Sequence, residues 1–243
     1  MSLSQKIFVA SACSCLIASF ALTPFAQAQS RRVRYVPPSN LDAPKVSVPG
    51  ISRSAGCVEF ACFIALVPDL QVATSPVPQT ISERPTIYFL SPKIDSQASF
   101  VLSEDNGSSM PSKSIYRKSF SLKNEAGVVA FKLPDDAPIL EIGKTYKLRF
   151  DINDSLYASK TVYGYIRRVS PSQKLVAQLN KISKPIDRAV LFAQESIWFE
   201  AVQALAEAQL TVPKNTEVIE EWTSLLKSAN LDNVLRYSFV TQK

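Results

Sequence analysis

The period of the hydrophobic pattern changes once along this chain, at Ser170-Pro171, and this change constrains the fold more than any other feature. Before it, residues 57–169 contain short runs of β-branched and aromatic residues separated by turn residues. After it, apolar residues recur at helical spacing up to about residue 231. Strands followed by helices, rather than alternating with them, indicate an α+β protein.

The first of these regions predicts antiparallel strands. In Tyr146-Lys147-Leu148, for example, apolar and charged residues alternate, as expected for a strand with one buried face. Asn106-Gly107 suits a tight reversal between strands. We therefore expect an immunoglobulin-like β-sandwich, with a partly open barrel as the alternative. Seven runs have strand character: 59–67, 85–90, 97–103, 113–122, 128–133, 144–152 and 160–169.

The second region, 170–231, predicts a helical hairpin followed by a tail, 232–243. Ser170 is a good N-cap, and Pro171 is tolerated at the first helical position. Apolar stripes on either side of a break at Pro213-Lys214-Asn215 indicate two antiparallel helices that resemble one tetratricopeptide-type unit. A single such unit buries little surface, so we expect it to dock on the sandwich or on a partner.

Residues 1–28 have the pattern of a cleavable secretory signal. One basic residue, Lys6, precedes an apolar stretch, and Ala26-Gln27-Ala28 places small residues where a signal peptidase requires them. Cleavage between Ala28 and Gln29 predicts a periplasmic or extracellular protein without a membrane span. A retained membrane anchor is the alternative, which the shortness of the apolar stretch disfavours.

The segment 29–56 is rich in proline and predicts a linker or extended arm. It carries a basic cluster, Arg31, Arg32 and Arg34, within a chain of formal net charge +6. The cluster is either a solvated arm, which we favour, or a point of attraction to an anionic cell wall or lipid surface. No basic-aromatic motif indicates nucleic-acid binding.

Cys57 and Cys62 are the cysteines that would remain after signal cleavage. Export makes a disulfide between them chemically available. Residues five apart on one strand point to opposite faces, however, so that pairing requires a turn or bulge between them. The sequence leaves the paired and the unpaired states open.

The chain contains no histidine. Ser-His-Asp and Cys-His catalysis and histidine-bearing metal sites are therefore excluded, and we expect no cofactor or metal. Ser224 and Lys227 have the Ser-x-x-Lys spacing of serine acyl-enzymes, but neither supporting motif of that class is present. Gly143-Lys144-Thr145 resembles a phosphate loop only in part, since Pro138 occupies the position of its first glycine. We assign no catalytic residue.

Two acidic pairs, Glu104-Asp105 and Asp135-Asp136, could supply the carboxyls of a glycosidase, but both lie in predicted turns, where aspartate caps backbone N–H groups. Tyr163 and Tyr165 share one face of the last strand and form, with Trp198, the candidate surface for binding a partner or a polysaccharide. Aromatic residues on one face of a sandwich more commonly belong to the core, which is the alternative for these side chains.

Several stretches between about Gly56 and Leu231 together form a specific sequence pattern. They are Ala65-Leu66-Val67-Pro68, Arg84-Pro85-Thr86-Ile87-Tyr88-Phe89-Leu90-Ser91-Pro92, Phe100-Val101-Leu102, Tyr116-Arg117, Glu141-Ile142-Gly143-Lys144-Thr145-Tyr146, Gly164-Tyr165-Ile166-Arg167-Arg168-Val169, Ile197-Trp198-Phe199-Glu200-Ala201 and Glu221-Trp222-Thr223-Ser224-Leu225-Leu226. The pattern resembles a cyanobacterial family of exported proteins, domain of unknown function 928. The resemblance assigns no activity to the chain. We therefore expect a non-catalytic, exported protein-interaction or envelope-associated module, with a carbohydrate-binding module or histidine-free glycosidase as the alternative.

The chain departs from this family pattern at two places. The resemblance implies a cysteine near position 153 that would pair with the counterpart of Cys57, but Asn153 stands there and Cys62 is extra. Glu195-Ser196 replaces the Asn-Gly that breaks the family's helices, which predicts a longer continuous helix from Pro185.

Overall fold

A computed structural model describes residues 32–39, 63–68, 76–106, 113–154 and 158–240, all of which belong to one compact unit. Ala28, Gln29, Arg31, Cys57 and Cys62 lie outside these ranges. Within the described ranges, no helix is both long enough and apolar enough to cross a membrane.

The described residues form eight strands followed by four helices. The strands are β1 (Ile64–Ala65), β2 (Gln79–Thr80), β3 (Thr86–Ser91), β4 (Ile94–Asp105), β5 (Ser114–Asn124), β6 (Gly127–Lys132), β7 (Thr145–Asp154) and β8 (Ala158–Arg168). The helices are α1 (Gln173–Leu179), α2 (Pro185–Gln194), α3 (Trp198–Thr211) and α4 (Thr216–Ser228), followed by a short 3-10 helix (Asp232–Val234).

The strands form two sheets with the orders β1-β3-β6 and β2-β8-β7-β4-β5. All pairs are antiparallel except β2 with β8. The sheets meet through aromatic side chains, with Phe89 of β3 lying 5.1 Å from Phe150 of β7 and Phe131 of β6 lying 4.8 Å from Phe100 of β4, between ring centroids. The period-two pattern of β7 correctly predicts its buried face, because Tyr146, Leu148, Phe150 and Ile152 are all at most 2% exposed.

The outer edge of β6 is covered by the end of the described chain. Val128 donates to the carbonyl of Ser238 over 2.8 Å, and Val240 donates to the carbonyl of Val128 over 2.9 Å. A Cβ added to Gly127 would lie 2.5 Å from the Ser238 oxygen. The close approach of two backbones therefore requires glycine at this position.

The helices begin and end at recognisable local signals. Ser172 caps α1 by accepting a hydrogen bond from the Leu175 N–H, and Asn215 caps α4 in the same way from Val218. Between α2 and α3 the backbone of Ser196 has a φ of 64°, and the N–H of Ile197 returns to the carbonyl of Phe192 over 2.8 Å. The expected continuous helix from Pro185 is therefore wrong: it stops at Gln194 and a new helix starts at Trp198.

The expected seven-stranded, immunoglobulin-like sandwich with a tetratricopeptide-like hairpin is wrong. The described residues form an α+β structure with sheets of three and five strands and with four helices after the strands. Each of the seven runs contains a strand, but β2 is an additional one, and it pairs in parallel with β8. The helical region is not one hairpin, because α3 packs between α2 and α4 and also contacts β2 and β3.

Residues 32–39 form an extended arm that packs on the helices. Val33 and Tyr35 are 0% and 5% exposed, whereas the residues that alternate with them, Arg32 and Arg34, are exposed. The N–H of Val36 donates to the carbonyl of Ala193 over 3.0 Å, and the N–H of Tyr35 donates to the Ser228 hydroxyl over 2.9 Å. These contacts place part of the proline-rich N-terminal segment in the core of the protein.

Candidate functional site

Tyr163 and Tyr165 lie on the face of the five-stranded sheet that points away from the three-stranded sheet. Val162, Gly164 and Ile166, which alternate with them on β8, are buried. The two tyrosines are therefore on the outer face, where each is half-buried among its neighbours on the sheet.

Lysine and arginine side chains of β7 stand next to the two rings. In the β7–β8 register, Arg149 is opposite Tyr163 and Lys147 is opposite Tyr165. The Lys147 ammonium lies 4.4 Å from the centroid of the Tyr163 ring, a cation–π contact. Burial, and then the charge of Arg149, lower the pKa of Lys147, whereas burial and then the charge of Asp105 raise the pKa of Tyr165 to about 12.

Arg149 is held in place by Asp151. Its Nε donates to Asp151 Oδ2 over 3.0 Å, and the side chains of these residues are 35% and 18% exposed. The same carboxylate accepts hydrogen bonds from the hydroxyls of Ser99 and Thr161, at 3.2 Å and 2.7 Å. Because Nε makes the bond to Asp151, no terminal guanidinium nitrogen of Arg149 is needed for this pair, and these nitrogens form no further hydrogen bond within the described ranges.

Val101 and Arg117 extend this surface across β4 and β5. Val101 is opposite both Arg149 and Arg117, and is 4% exposed although it faces outward. The aliphatic stems of long neighbouring side chains such as arginine can cover a residue in this position. We call Val101, Arg117, Lys147, Arg149, Tyr163 and Tyr165 the outer-face cluster; it has three cations, and Asp151 at its border is the anion that fixes one of them.

Trp198 does not belong to this surface, so its assignment to a binding surface is corrected. It is 0% exposed, its Nε1 donates to the carbonyl of Leu66 over 2.8 Å, and its ring packs edge-on against Tyr35 at 5.1 Å. Trp198 is the first residue of α3, and its indole anchors that helix to the strands and to the arm. Its role is therefore in the core.

The other candidate side chains are mostly engaged in local ion pairs. Asp136 accepts hydrogen bonds from Tyr116 and Lys118, and these bonds lower its pKa. Lys144 pairs with Glu104 at 3.1 Å and with Glu141 at 2.9 Å, and its pKa is raised by the hydrogen bonds to both carboxylates. No group of three acidic, cysteine or histidine side chains suited to a metal ion occurs among the described residues. In each acidic pair, one carboxyl, that of Asp136 or Glu104, is therefore engaged by a lysine.

Sequence reasoning missed two structurally engaged glutamates. Glu200 of α3 accepts hydrogen bonds at Oε1 from the Thr80 hydroxyl and from the N–H groups of Ile81 and Ser82, which ties α3 to β2. Burial raises its pKa, against the lowering effect of these bonds. Glu221 of α4, 3% exposed, accepts a hydrogen bond from the N–H of Val33 in the arm. A charged residue within an apolar helical stripe is the sequence signal for such anchoring residues.

A model of the family described as Domain of Unknown Function (DUF928) matches residues 48–239. The chain belongs to this family. The DUF928 match includes both sheets and all four helices of the described structure, and with them the outer-face cluster. The arm at residues 32–39 precedes the DUF928 match. A search of curated proteins found no match to the chain.

Proposed function

We propose that this DUF928 protein is a non-catalytic, exported binding module that docks a protein partner of the cell envelope on its outer-face cluster. The single observation that carries the proposal is that Lys147 and Arg149 stand opposite the two tyrosines on the outward face of the five-stranded sheet. The N-terminal leader pattern supports export, and the sequence resemblance supports a cyanobacterial origin.

The chemistry of the cluster suits binding rather than catalysis. The chain lacks histidine, the commonest general acid and base. The carboxylate bonded to Arg149, that of Asp151, accepts three hydrogen bonds and serves to position this arginine. Tyrosine and arginine, by contrast, are the residue types that dominate the energy of protein interfaces.

A protein partner fits the cluster better than a neutral polysaccharide does. Stacking of a sugar requires an open aromatic face, and the Lys147 ammonium lies over the ring of Tyr163. The three cations favour a partner surface that carries carboxylates, because a guanidinium binds a carboxylate through two parallel hydrogen bonds. The partner that we propose is therefore a protein with an acidic, partly apolar patch.

The dimensions of the sheet are adequate for such a contact. The four long strands, spaced about 4.8 Å apart, span about 19 Å, and a ten-residue strand is about 34 Å long. The resulting face is on the order of 650 Å², compared with about 800 Å² per partner in a standard interface. The outer face can therefore supply most of one side of a specific complex.

Site-specific photo-crosslinking in the source cell tests the proposal. A photoreactive residue replacing Tyr165 should give a discrete crosslinked protein band, and Arg149→Glu in the same chain should abolish it because it repels an acidic partner. The control position is Lys174, an exposed residue on α1. Equal crosslinking from positions 165 and 174, or no effect of Arg149→Glu in a folded protein, would contradict the proposal.

A second assay, co-sedimentation with envelope polysaccharides, tests the alternative that the cluster binds carbohydrate. If the purified protein sediments with peptidoglycan or envelope polysaccharide, and Tyr163→Ala or Tyr165→Ala abolishes this without loss of folding, the cluster is a sugar-binding surface. Under our proposal neither variant changes sedimentation, since the partner is a protein.

A further inference from the structure

The arm fixes two arginines at the surface of the helical region. Val33 and Tyr35 are buried, and in an extended segment successive side chains point to opposite sides. Arg32 and Arg34 must therefore both point outward, which the exposure of their side chains agrees with. Glu221 and Ser228 of α4 hold the arm backbone through hydrogen bonds, so the backbone positions of these two arginines are fixed.

A groove of about 390 Å³ lies between this arm and the exposed side of α4. Arg32 and Arg34 line it from the arm, and Ser224 and Lys227 line it from the helix. Ligand sites commonly have volumes of about 300–1,000 Å³, so the groove is large enough for a compact polar group with several oxygen atoms. We call it the arm groove.

The charges in the arm groove are not balanced internally. Within the described part of the chain, Arg32, Arg34 and Lys227 form no salt bridge, and the acidic residue on the groove wall, Glu220, forms none either. Three cations face one carboxylate, so a matching ligand carries about two negative charges. The remaining acid on this side, Glu221, is buried beneath the arm and already accepts a hydrogen bond from Val33.

We propose that the arm groove binds a phosphate-bearing anion, such as a diphosphate or the headgroup of an anionic phospholipid. Two arginines on one short segment can each form paired hydrogen bonds with phosphate oxygens, while Lys227 supplies a point charge and Ser224 a hydroxyl donor. This site shares no residue with the outer-face cluster, so it does not depend on the proposed function.

Binding is measured on protein produced from the full-length sequence, with two probes. Inorganic pyrophosphate is titrated by calorimetry, and vesicles with 30 mol% phosphatidylglycerol in phosphatidylcholine are tested by co-sedimentation against pure phosphatidylcholine vesicles, at about 0.1 M salt, where the Debye length is about 10 Å. We expect Arg34→Gln or Lys227→Gln to weaken binding by roughly 10- to 100-fold, as for the loss of one charge-assisted hydrogen bond. Glu220→Gln should tighten it.

Lys214→Gln is the matched control, because it removes the same charge from an exposed residue outside the groove. Binding of both probes assigns the site to phosphate in general, and binding of the vesicles alone assigns it to a lipid headgroup. Either result supports the proposal if Arg34→Gln weakens binding more than Lys214→Gln does. Binding of neither probe, or equal weakening by these two variants, overturns it. The substituted groove residues have no packing role in the core, and thermal unfolding confirms that each variant is folded.

Discussion

Replacement of Trp198 by phenylalanine tests how the sheets, the helices and the arm are joined. The indole contacts three segments that are distant in sequence: it begins α3, its Nε1 donates to the Leu66 carbonyl after β1, and its ring packs on Tyr35 of the arm. Phenylalanine retains one aromatic ring at this position but has no donor. The variant therefore leaves the Leu66 carbonyl buried without its partner.

The expected loss can be worked from two terms. A buried polar group left without a hydrogen bond costs about 1–3 kcal/mol. Removal of part of the ring from a site that is 0% exposed costs a further ~1–1.5 kcal/mol, comparable to a small core truncation. Together they predict a decrease in the free energy of unfolding of about 3 kcal/mol, or about 6–12 °C in Tm for a chain of this size.

Trp222→Phe is the matched control. Trp222 is 4% exposed and packs against Phe239 at 5.0 Å, and its indole has no hydrogen-bond partner among the described residues. It should therefore lose only the packing term, about 1–1.5 kcal/mol. Urea unfolding followed by circular dichroism gives both values. Equal destabilisation by the two substitutions would refute the argument that the bond to Leu66 joins these segments.

Three further predictions concern the strands, a buried carboxylate and the arm. Gly127→Ala should lower the free energy of unfolding by about 1–3 kcal/mol, measured by urea titration, because the new methyl group meets the Ser238 backbone. Burial raises the pKa of Glu200 above the ordinary value of 4.5, so the folded protein holds the proton more tightly than the unfolded chain. Relative to Glu200→Gln, the unsubstituted protein should therefore lose stability as the pH rises from 4.5 through the raised pKa; a Tm difference that is constant with pH would contradict this. Tyr35→Ala should release the arm, with protease cleavage near Arg34 and weaker pyrophosphate binding; unchanged cleavage would show that the arm is held without the ring.

Much of the sheet structure could be predicted because it depends on local patterns. The alternation in β7 is strict, and its inward residues are almost fully buried. The two-residue strand β2 could not be predicted, since two residues have no readable period and its pairing with β8 is set by tertiary contacts, including the bonds from the β2 segment to Glu200. The strand period predicts that Tyr163 and Tyr165 share a face but not that this face is the outer one, and their cationic neighbours depend on the register between β7 and β8.

The helical region was harder to predict because its breaks are not marked by residues of strong preference. Ser196 adopts a positive φ that glycine or asparagine would have signalled. Trp198 was assigned to a surface because an indole at the start of a helix has no period that shows its direction. Similarly, the alternation of Val33 and Tyr35 with arginines is too short to distinguish a solvated arm from a packed one.

The packed arm also determines when this protein can finish folding. The partners of Val33, Tyr35 and Val36 are Glu221, Ser228 and Ala193, which are made about 160–190 residues later. Contacts between segments so far apart in sequence are slow to form, because a long loop must close first. The arm is synthesised long before α4, and its backbone can be held by Glu221 and Ser228 only after α4 has been made. A chain that ends before α4 would lack Glu221 and Ser228, the two α4 residues that hold the arm backbone.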